Sequence, residues 1–145
     1  MGPNTRYGYA KGIWQFITLT AHTCGLEPGP MYETASYDPL DDRFNFEKAT
    51  AAAGKYLRDL NTSEAQASGL LVLASYNWGE GNIIPTIQKM PQNPRERNLW
   101  KLLARKDIPK ETYDYVFYIF SASVICQDPR LFGFDTIDCP SFNTK

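Results

Sequence analysis

The chain has 145 residues, 43% of them apolar, and a net charge of −1, which is the size and composition of a single globular domain. Its 15 basic and 16 acidic residues are well mixed, and without a basic stripe the sequence predicts no nucleic-acid partner. No run of 18 apolar residues occurs, so no membrane span is expected, and the first residues show no export signal.

The first predicted element is a helix from Ile13 to Cys24, because apolar residues recur there at helical spacing. Gly25 follows as a helix stop. This assignment places Gln15 and Phe16 inside the helix. A connection rich in proline and acidic residues runs from Glu27 to Arg43, and its length predicts a functional loop.

Two further helices follow this loop. Asn45 is the predicted N-cap of a helix that carries an apolar stripe as far as Leu60. Ser63 or Thr62 caps the next helix, which ends at Trp78 before two glycines.

The last third of the chain also has a helical pattern. A short piece spans 82–90, in which Pro85 is expected only in a first turn. Asn93 and Pro94 are expected to begin another helix, and Pro109 a long one that ends near Cys126. An aromatic tail at 131–134 is expected to pack back onto the body. The sequence therefore predicts an all-α domain of five or six helices over residues 1–145.

The three cysteines and the single histidine, His22, match no zinc-binding spacing, and no cofactor motif occurs. We therefore expect neither a metal nor a cofactor. The cysteines Cys24, Cys126 and Cys139 leave two possibilities open. They form one disulfide with one free thiol, or they are buried free cysteines, since Cys24 and Cys126 lie in apolar helical patterns.

Several polar side chains are candidates for binding a sugar. The amide of Gln15 has donors and an acceptor for a hydroxyl or an N-acetyl group, although a solvent-facing glutamine is the alternative. Tyr76 and Asn77 lie one turn before a glycine-flanked helix end, where they either face a cleft or fasten the helix terminus. The nine Tyr, eight Phe and three Trp suit a sugar cleft or an aromatic core.

Two acids accompany these motifs. Glu111 lies in the first turn of the last helix, where the helix dipole favours a negative charge, and Tyr115 follows one turn later on the same face. Glu80 comes just after a helix end. With a single histidine in the chain, a Ser-His-Asp or Cys-His arrangement is not credible.

Taken together and in order, the motifs resemble the catalytic domain of the soluble lytic transglycosylases, which has a helical, lysozyme-like fold and cuts peptidoglycan. The match covers most of residues 8–134. The segments that carry it are Gly12-Ile13-Trp14-Gln15-Phe16, Thr20-Ala21, Gly25-Leu26, Asp42-Arg43, Ala52-Ala53-Gly54-Lys55-Tyr56-Leu57, Tyr76-Asn77-Trp78-Gly79-Glu80-Gly81, Glu111-Thr112-Tyr113-Asp114-Tyr115-Val116 and Phe132-Gly133-Phe134.

The resemblance implies cleavage of the β-1,4 bond between N-acetylmuramic acid and N-acetylglucosamine. One glutamate protonates the glycosidic oxygen and then takes a proton from the muramic C6 hydroxyl, which closes a 1,6-anhydro ring. A carboxyl with both roles requires a raised pKa. The resemblance also implies action on glycan strands in the bacterial periplasm. The residues that it implies for substrate binding are Gln15, Phe16, Tyr76, Asn77, Glu111 and Tyr115.

One family feature is missing. The family's catalytic glutamate begins a Glu-Ser motif upstream of the Gly-x-Trp-Gln motif, and no such motif precedes Gly12 in this chain. We therefore expect an N-terminally incomplete domain that is inactive as it stands and is completed by a further segment or a second chain. Glu111 and Glu80 are weak candidates for a replacement acid. The alternative functions are a muramidase that hydrolyses the same bond and a non-catalytic peptidoglycan-binding or scaffold module.

Overall fold

The computed structural model describes residues 8–105 and 107–139. These residues form six α-helices and three short 3₁₀-helices, and within this part of the chain no strand forms, so the all-α prediction is confirmed. None of the described helices is long and apolar enough to cross a membrane. The α-helices are α1 Thr18–Thr23, α2 Phe46–Leu60, α3 Gly69–Trp78, α4 Glu80–Gln88, α5 Leu99–Ala104 and α6 Lys110–Gln127.

Helix α3 lies at the centre of the fold and contacts α2, α4 and α6. Its sequence is apolar around most of its circumference, which is typical of a helix enclosed by others. Leu71 and Ala74 of α3 are fully buried, together with Ile83 of α4 and Leu102 of α5. The candidate site is built around the C-terminal end of this central helix.

Helix α2 agrees with the prediction in both its cap and its buried face. The side chain of Asn45 accepts a hydrogen bond from the backbone N–H of Lys48 at 3.0 Å, which satisfies one of the first-turn donors. Ala52 and Ala53 are buried in a second, smaller core cluster with Phe16 and other apolar residues. The small side chains let the chain around Phe16 approach α2 closely.

The predicted helix from Ser63 to Trp78 is broken at Ser68. Ser63 caps a 3₁₀-helix, Glu64–Ala67, by accepting from the N–H of Ala65 at 3.2 Å, and α3 begins afterwards. The expectation for Pro85 is wrong, because α4 begins immediately after Gly79 and Pro85 lies in its interior. Gly79 has φ +90°, a conformation that lets one helix end and the next begin without a loop.

The predicted start of α5 at Asn93 and Pro94 is also wrong. Asn93 instead begins a turn, in which its carbonyl accepts from Glu96 N at 2.9 Å and from Arg97 N at 3.1 Å. The helix begins at Leu99, where the side chain of Asn98 accepts from Lys101 N at 3.0 Å. The asparagine cap closest to the buried leucines therefore sets the start of this helix.

Helix α6 agrees with its predicted extent, but the tail after it does not pack onto the body. Leu131 is 79% exposed, and Phe132 and Phe134 are 48% and 43% exposed. A disulfide between Cys126 and Cys139, whose Cα atoms are 5.3 Å apart, holds this segment to the exposed end of α6 instead. Cys24 is a free thiol, so the first of the two cysteine hypotheses is correct.

Candidate functional site

Residues 12–16 form a tight turn and not the beginning of the first helix, so this prediction is wrong. Lys11 N donates to the carbonyl of Phe16 at 3.1 Å, and Gln15 N donates to the carbonyl of Gly12 at 3.2 Å. Gln15 has φ +52°, and it is the one non-glycine residue with positive φ in the described chain. Because a helix cannot contain this conformation, α1 begins only at Thr18.

A buried ion pair supports the turn from one side. The guanidinium of Arg43 binds both carboxylate oxygens of Asp41, from Nε at 2.8 Å and from Nη2 at 2.6 Å. Its Nη1 donates to the carbonyls of Phe16 at 3.1 Å and Tyr9 at 2.9 Å. Gly12 lies so close to this residue that a β-carbon there would stand 1.8 Å from the carbonyl oxygen of Arg43. Only glycine fits at this position.

The ammonium of Lys11 ties the long loop to the same turn. Lys11 is 3% exposed, and its Nζ donates to the carbonyls of Met31 at 2.9 Å and Ser36 at 3.1 Å. The carboxylate of Asp41 lies 3.7 Å from this ammonium. The loop from Glu27 to Arg43 is therefore organised around buried charges that hold the Gly-x-Trp-Gln turn.

Tyr76 of α3 supports the turn from the other side. Its hydroxyl donates to the carbonyl of Trp14 at 2.9 Å, across 62 residues of sequence. The indole N–H of Trp14 in turn donates to the hydroxyl of Thr50 at 2.9 Å. Burial, with a smaller effect of the neighbouring Tyr115, raises the pKa of Tyr76. A tyrosine of ordinary pKa is already protonated at neutral pH, and the raised pKa extends the donor role of this phenol to more alkaline pH.

The structure brings all six predicted substrate-binding residues to one cleft, between the Gly-x-Trp-Gln turn, the end of α3 and the start of α6. The cleft consists of three adjoining pockets, and Asn77 lines all of them. The inner pocket lies at Phe16, the middle pocket at Trp14 and the outer pocket at Tyr118. Gln15 and Tyr76 line both the inner and the middle pocket, and Glu111 and Tyr115 line both the middle and the outer pocket. Phe16 and Tyr56 form the apolar floor of the inner pocket.

Helix α6 fixes the side chain of Asn77. The hydroxyl of Thr112, a residue that is 2% exposed, donates to Oδ1 of Asn77 at 2.8 Å. Thr112 was not among the residues that sequence reasoning selected for the site. Its position beside Glu111 in the Glu-Thr-x-x-Tyr-Val motif is the signal that identifies it.

The two candidate acids occupy different places. Glu111 lies in the first turn of α6, is exposed, and lines the middle and outer pockets of the cleft. Glu80 is the first residue of α4, is exposed, and does not line any of the three pockets of the cleft. Over residues 8–105 and 107–139, no three His, Cys, Asp or Glu side chains group closely enough to hold a metal ion.

Comparison with known proteins agrees with this arrangement. Residues 3–99 match the family described as "Transglycosylase SLT domain". The chain belongs to this family. Over 124 residues it is 30% identical to membrane-bound lytic murein transglycosylase D of Escherichia coli K12, and equally to the protein of the same name from Escherichia coli O6:H1. The alignment covers 86% of the chain but only 25% of each relative.

Proposed function

We propose that this SLT-family chain forms the glycan-binding cleft of a peptidoglycan lytic transglycosylase. The observation that carries the proposal is the convergence on one cleft of Gln15, Phe16, Tyr76, Asn77, Glu111 and Tyr115. The relatives' name, lytic murein transglycosylase, supports the same substrate and reaction. The reaction is cleavage of the N-acetylmuramic acid–N-acetylglucosamine bond with formation of the 1,6-anhydro product.

The polar groups of the cleft suit a sugar that carries an acetamido group. Gln15 donates from Nε2 to the carbonyl of Gly12 at 2.7 Å, so its Oε1 is the group that accepts from a ligand. Asn77 accepts from Thr112 through Oδ1, so its Nδ2 is the group that donates. One acceptor and one donor on neighbouring pockets match the N–H and the carbonyl of an acetamido group.

We place the proton-donating glutamate in a segment that precedes the Gly-x-Trp-Gln turn, or in a second chain. Glu111 is an exposed residue of a first helical turn and not a carboxyl enclosed in an apolar pocket. A general acid requires surroundings that favour the protonated form. The chain by itself is therefore expected to bind glycan strands without cutting them, and the relatives, about four times as long as the aligned region, have room for further segments.

We also propose that the protein works in the periplasm. The disulfide between Cys126 and Cys139 supports this location, because disulfides persist in oxidising compartments such as the bacterial periplasm. The relatives' description as membrane-bound is consistent with a place in the cell envelope.

An NMR titration of the ¹⁵N-labelled chain with a β-1,4-linked N-acetylglucosamine tetramer tests the binding proposal. We expect chemical-shift changes at Gln15, Asn77 and Tyr115. An internal control is the pair of exposed Tyr37 and half-buried Phe44, whose ring centroids are 4.8 Å apart beside a separate pocket. Changes confined to this pair, or no changes at all, would remove the proposed function.

The outer pocket predicts how affinity depends on glycan length. Tyr118 is 73% exposed, lies one turn beyond Tyr115, and lines this pocket. We expect Tyr118→Ala to weaken binding of an N-acetylglucosamine hexamer about fivefold, since a lost ring contact costs about 1 kcal/mol. The affinity for a trimer that fills only the inner and middle pockets should stay unchanged. Calorimetric titration of both oligomers measures the difference.

The matched control for this prediction is Phe120→Ala. Phe120 is an exposed aromatic residue of the same helix, but it does not line the outer pocket. This variant should bind both oligomers as the unmodified chain does. If Tyr118→Ala leaves the affinity for the hexamer unchanged, the cleft does not extend over Tyr118.

A further inference from the structure

We propose that Thr112 is a positioning residue that makes the cleft selective for N-acetylated sugars by fixing the orientation of the Asn77 amide. The inference rests on the proposed function and assigns its specificity to a residue that does not touch the glycan. Thr112 is buried, whereas Asn77 lines all three pockets of the cleft.

The orientation of an asparagine amide depends on its hydrogen bonds, because its oxygen and nitrogen ends have nearly the same shape. Asn77 is the hydrogen-bond partner of the Thr112 hydroxyl at 2.8 Å. If the amide were reversed, the hydroxyl would accept from Nδ2 and its own hydrogen would be buried without an acceptor. A buried unpaired donor is costly, so the hydroxyl hydrogen keeps Oδ1 directed at α6.

This orientation leaves the Nδ2 group for the ligand. In the described part of the chain, every buried side-chain nitrogen and oxygen has a hydrogen-bond partner. No described group accepts from Nδ2 of Asn77, which is therefore accessible in the cleft. A donor fixed there binds the acetamido carbonyl of a sugar, and a de-N-acetylated sugar has no such acceptor.

The test compares the affinities of two tetramers, of N-acetylglucosamine and of glucosamine, in calorimetric titrations. The readout is the ratio of the two affinities in each variant relative to the same ratio in the unmodified chain, since this comparison cancels any general loss of binding and the charge of the glucosamine amines. We expect Thr112→Val, which keeps the shape but lacks the hydroxyl, to lower the preference for the acetylated tetramer about tenfold. Thr112→Ser, which keeps the hydroxyl, should retain the preference.

A purely structural role for Thr112 would lower the melting temperature of Thr112→Val and leave the ratio unchanged, and this result would overturn the inference. A second variant covers the case that Thr112→Val does not fold. Asn77→Leu removes the donor without adding a charge, so it too should lose the preference, and retention would overturn the inference. Failure of the unmodified chain to bind either tetramer would instead remove the proposed function.

Discussion

Replacement of Arg43 by methionine is expected to destabilise the chain by about 3–5 kcal/mol, because it leaves the carboxylate of Asp41 buried without its partner. Both side chains of this pair are fully buried. The variant also removes the donor to the carbonyls of Phe16 and Tyr9. Urea unfolding followed by circular dichroism measures the loss, and the glycan titration should show weaker binding because the turn loses its support.

The matched control is the exposed ion pair of Lys48 with Asp42, whose Lys48 side chain is 58% exposed. Lys48→Met should cost less than about 1 kcal/mol, because solvent screens such a pair. Similar losses in the two variants would show that the buried pair contributes no more than a surface contact.

The buried pair of Asp41 and Arg43 also predicts how stability depends on pH. Burial alone would raise the pKa of Asp41, but the hydrogen bonds and the charge of Arg43 outweigh it and hold that pKa below its ordinary value. A lowered folded-state pKa stabilises the fold above the unfolded-state pKa, which is about 4, and this stabilisation is lost as the pH falls through the folded-state value. The chain should therefore lose this contribution only below about pH 4.

Gly12→Ala is expected to have the second large effect. The new β-carbon would stand 1.8 Å from the carbonyl oxygen of Arg43, and the φ of +71° at Gly12 is unfavourable for alanine. Backbone strain of about 1–2 kcal/mol and overpacking of about 1–3 kcal/mol together predict a loss of about 2–5 kcal/mol. Because the turn must shift, Gln15 should also lose its place in the cleft and glycan affinity should fall.

Gly54→Ala is the control for this substitution. Gly54 lies in α2, and a β-carbon there meets no atom within 4 Å. Alanine should therefore stabilise the helix by up to about 1 kcal/mol. If Gly12→Ala melts and binds glycan as the unmodified chain does, then the Gly-x-Trp-Gln turn is not held as tightly as its contacts indicate.

The sequence predicted α2 and α6 well because local signals determine them. An asparagine cap and an apolar stripe specify α2, and Pro109 marks the start of α6. The turn at residues 12–16 could not be predicted in this way, since its apolar spacing also fits a helix. Its conformation depends on hydrogen bonds from Arg43 and Tyr76, which are distant in sequence.

The residues of the candidate site also fall into those that the sequence identifies and those that only the fold reveals. The motif residues could be selected from the sequence because their amides, phenols and carboxylates suit a sugar. Asp41 and Lys11 could not, because buried polar residues act here through other residues and resemble ordinary surface residues in the sequence. Thr112 stands in the Glu-Thr-x-x-Tyr-Val motif, but the sequence does not show its partner. Only the fold shows that the charges of Asp41 and Lys11 support the turn and that Thr112 orients Asn77.

Mass spectrometry of the fragments released from purified peptidoglycan tests the central claim most directly. The chain extended by an upstream segment that carries the family's Glu-Ser motif is predicted to release 1,6-anhydro products, and the chain alone to release none. Anhydro products from the chain alone would assign the general acid to residues 1–145, with Glu111 the first to replace by glutamine. Products heavier by one water, or none from the extended protein, would contradict the assignment as a lytic transglycosylase.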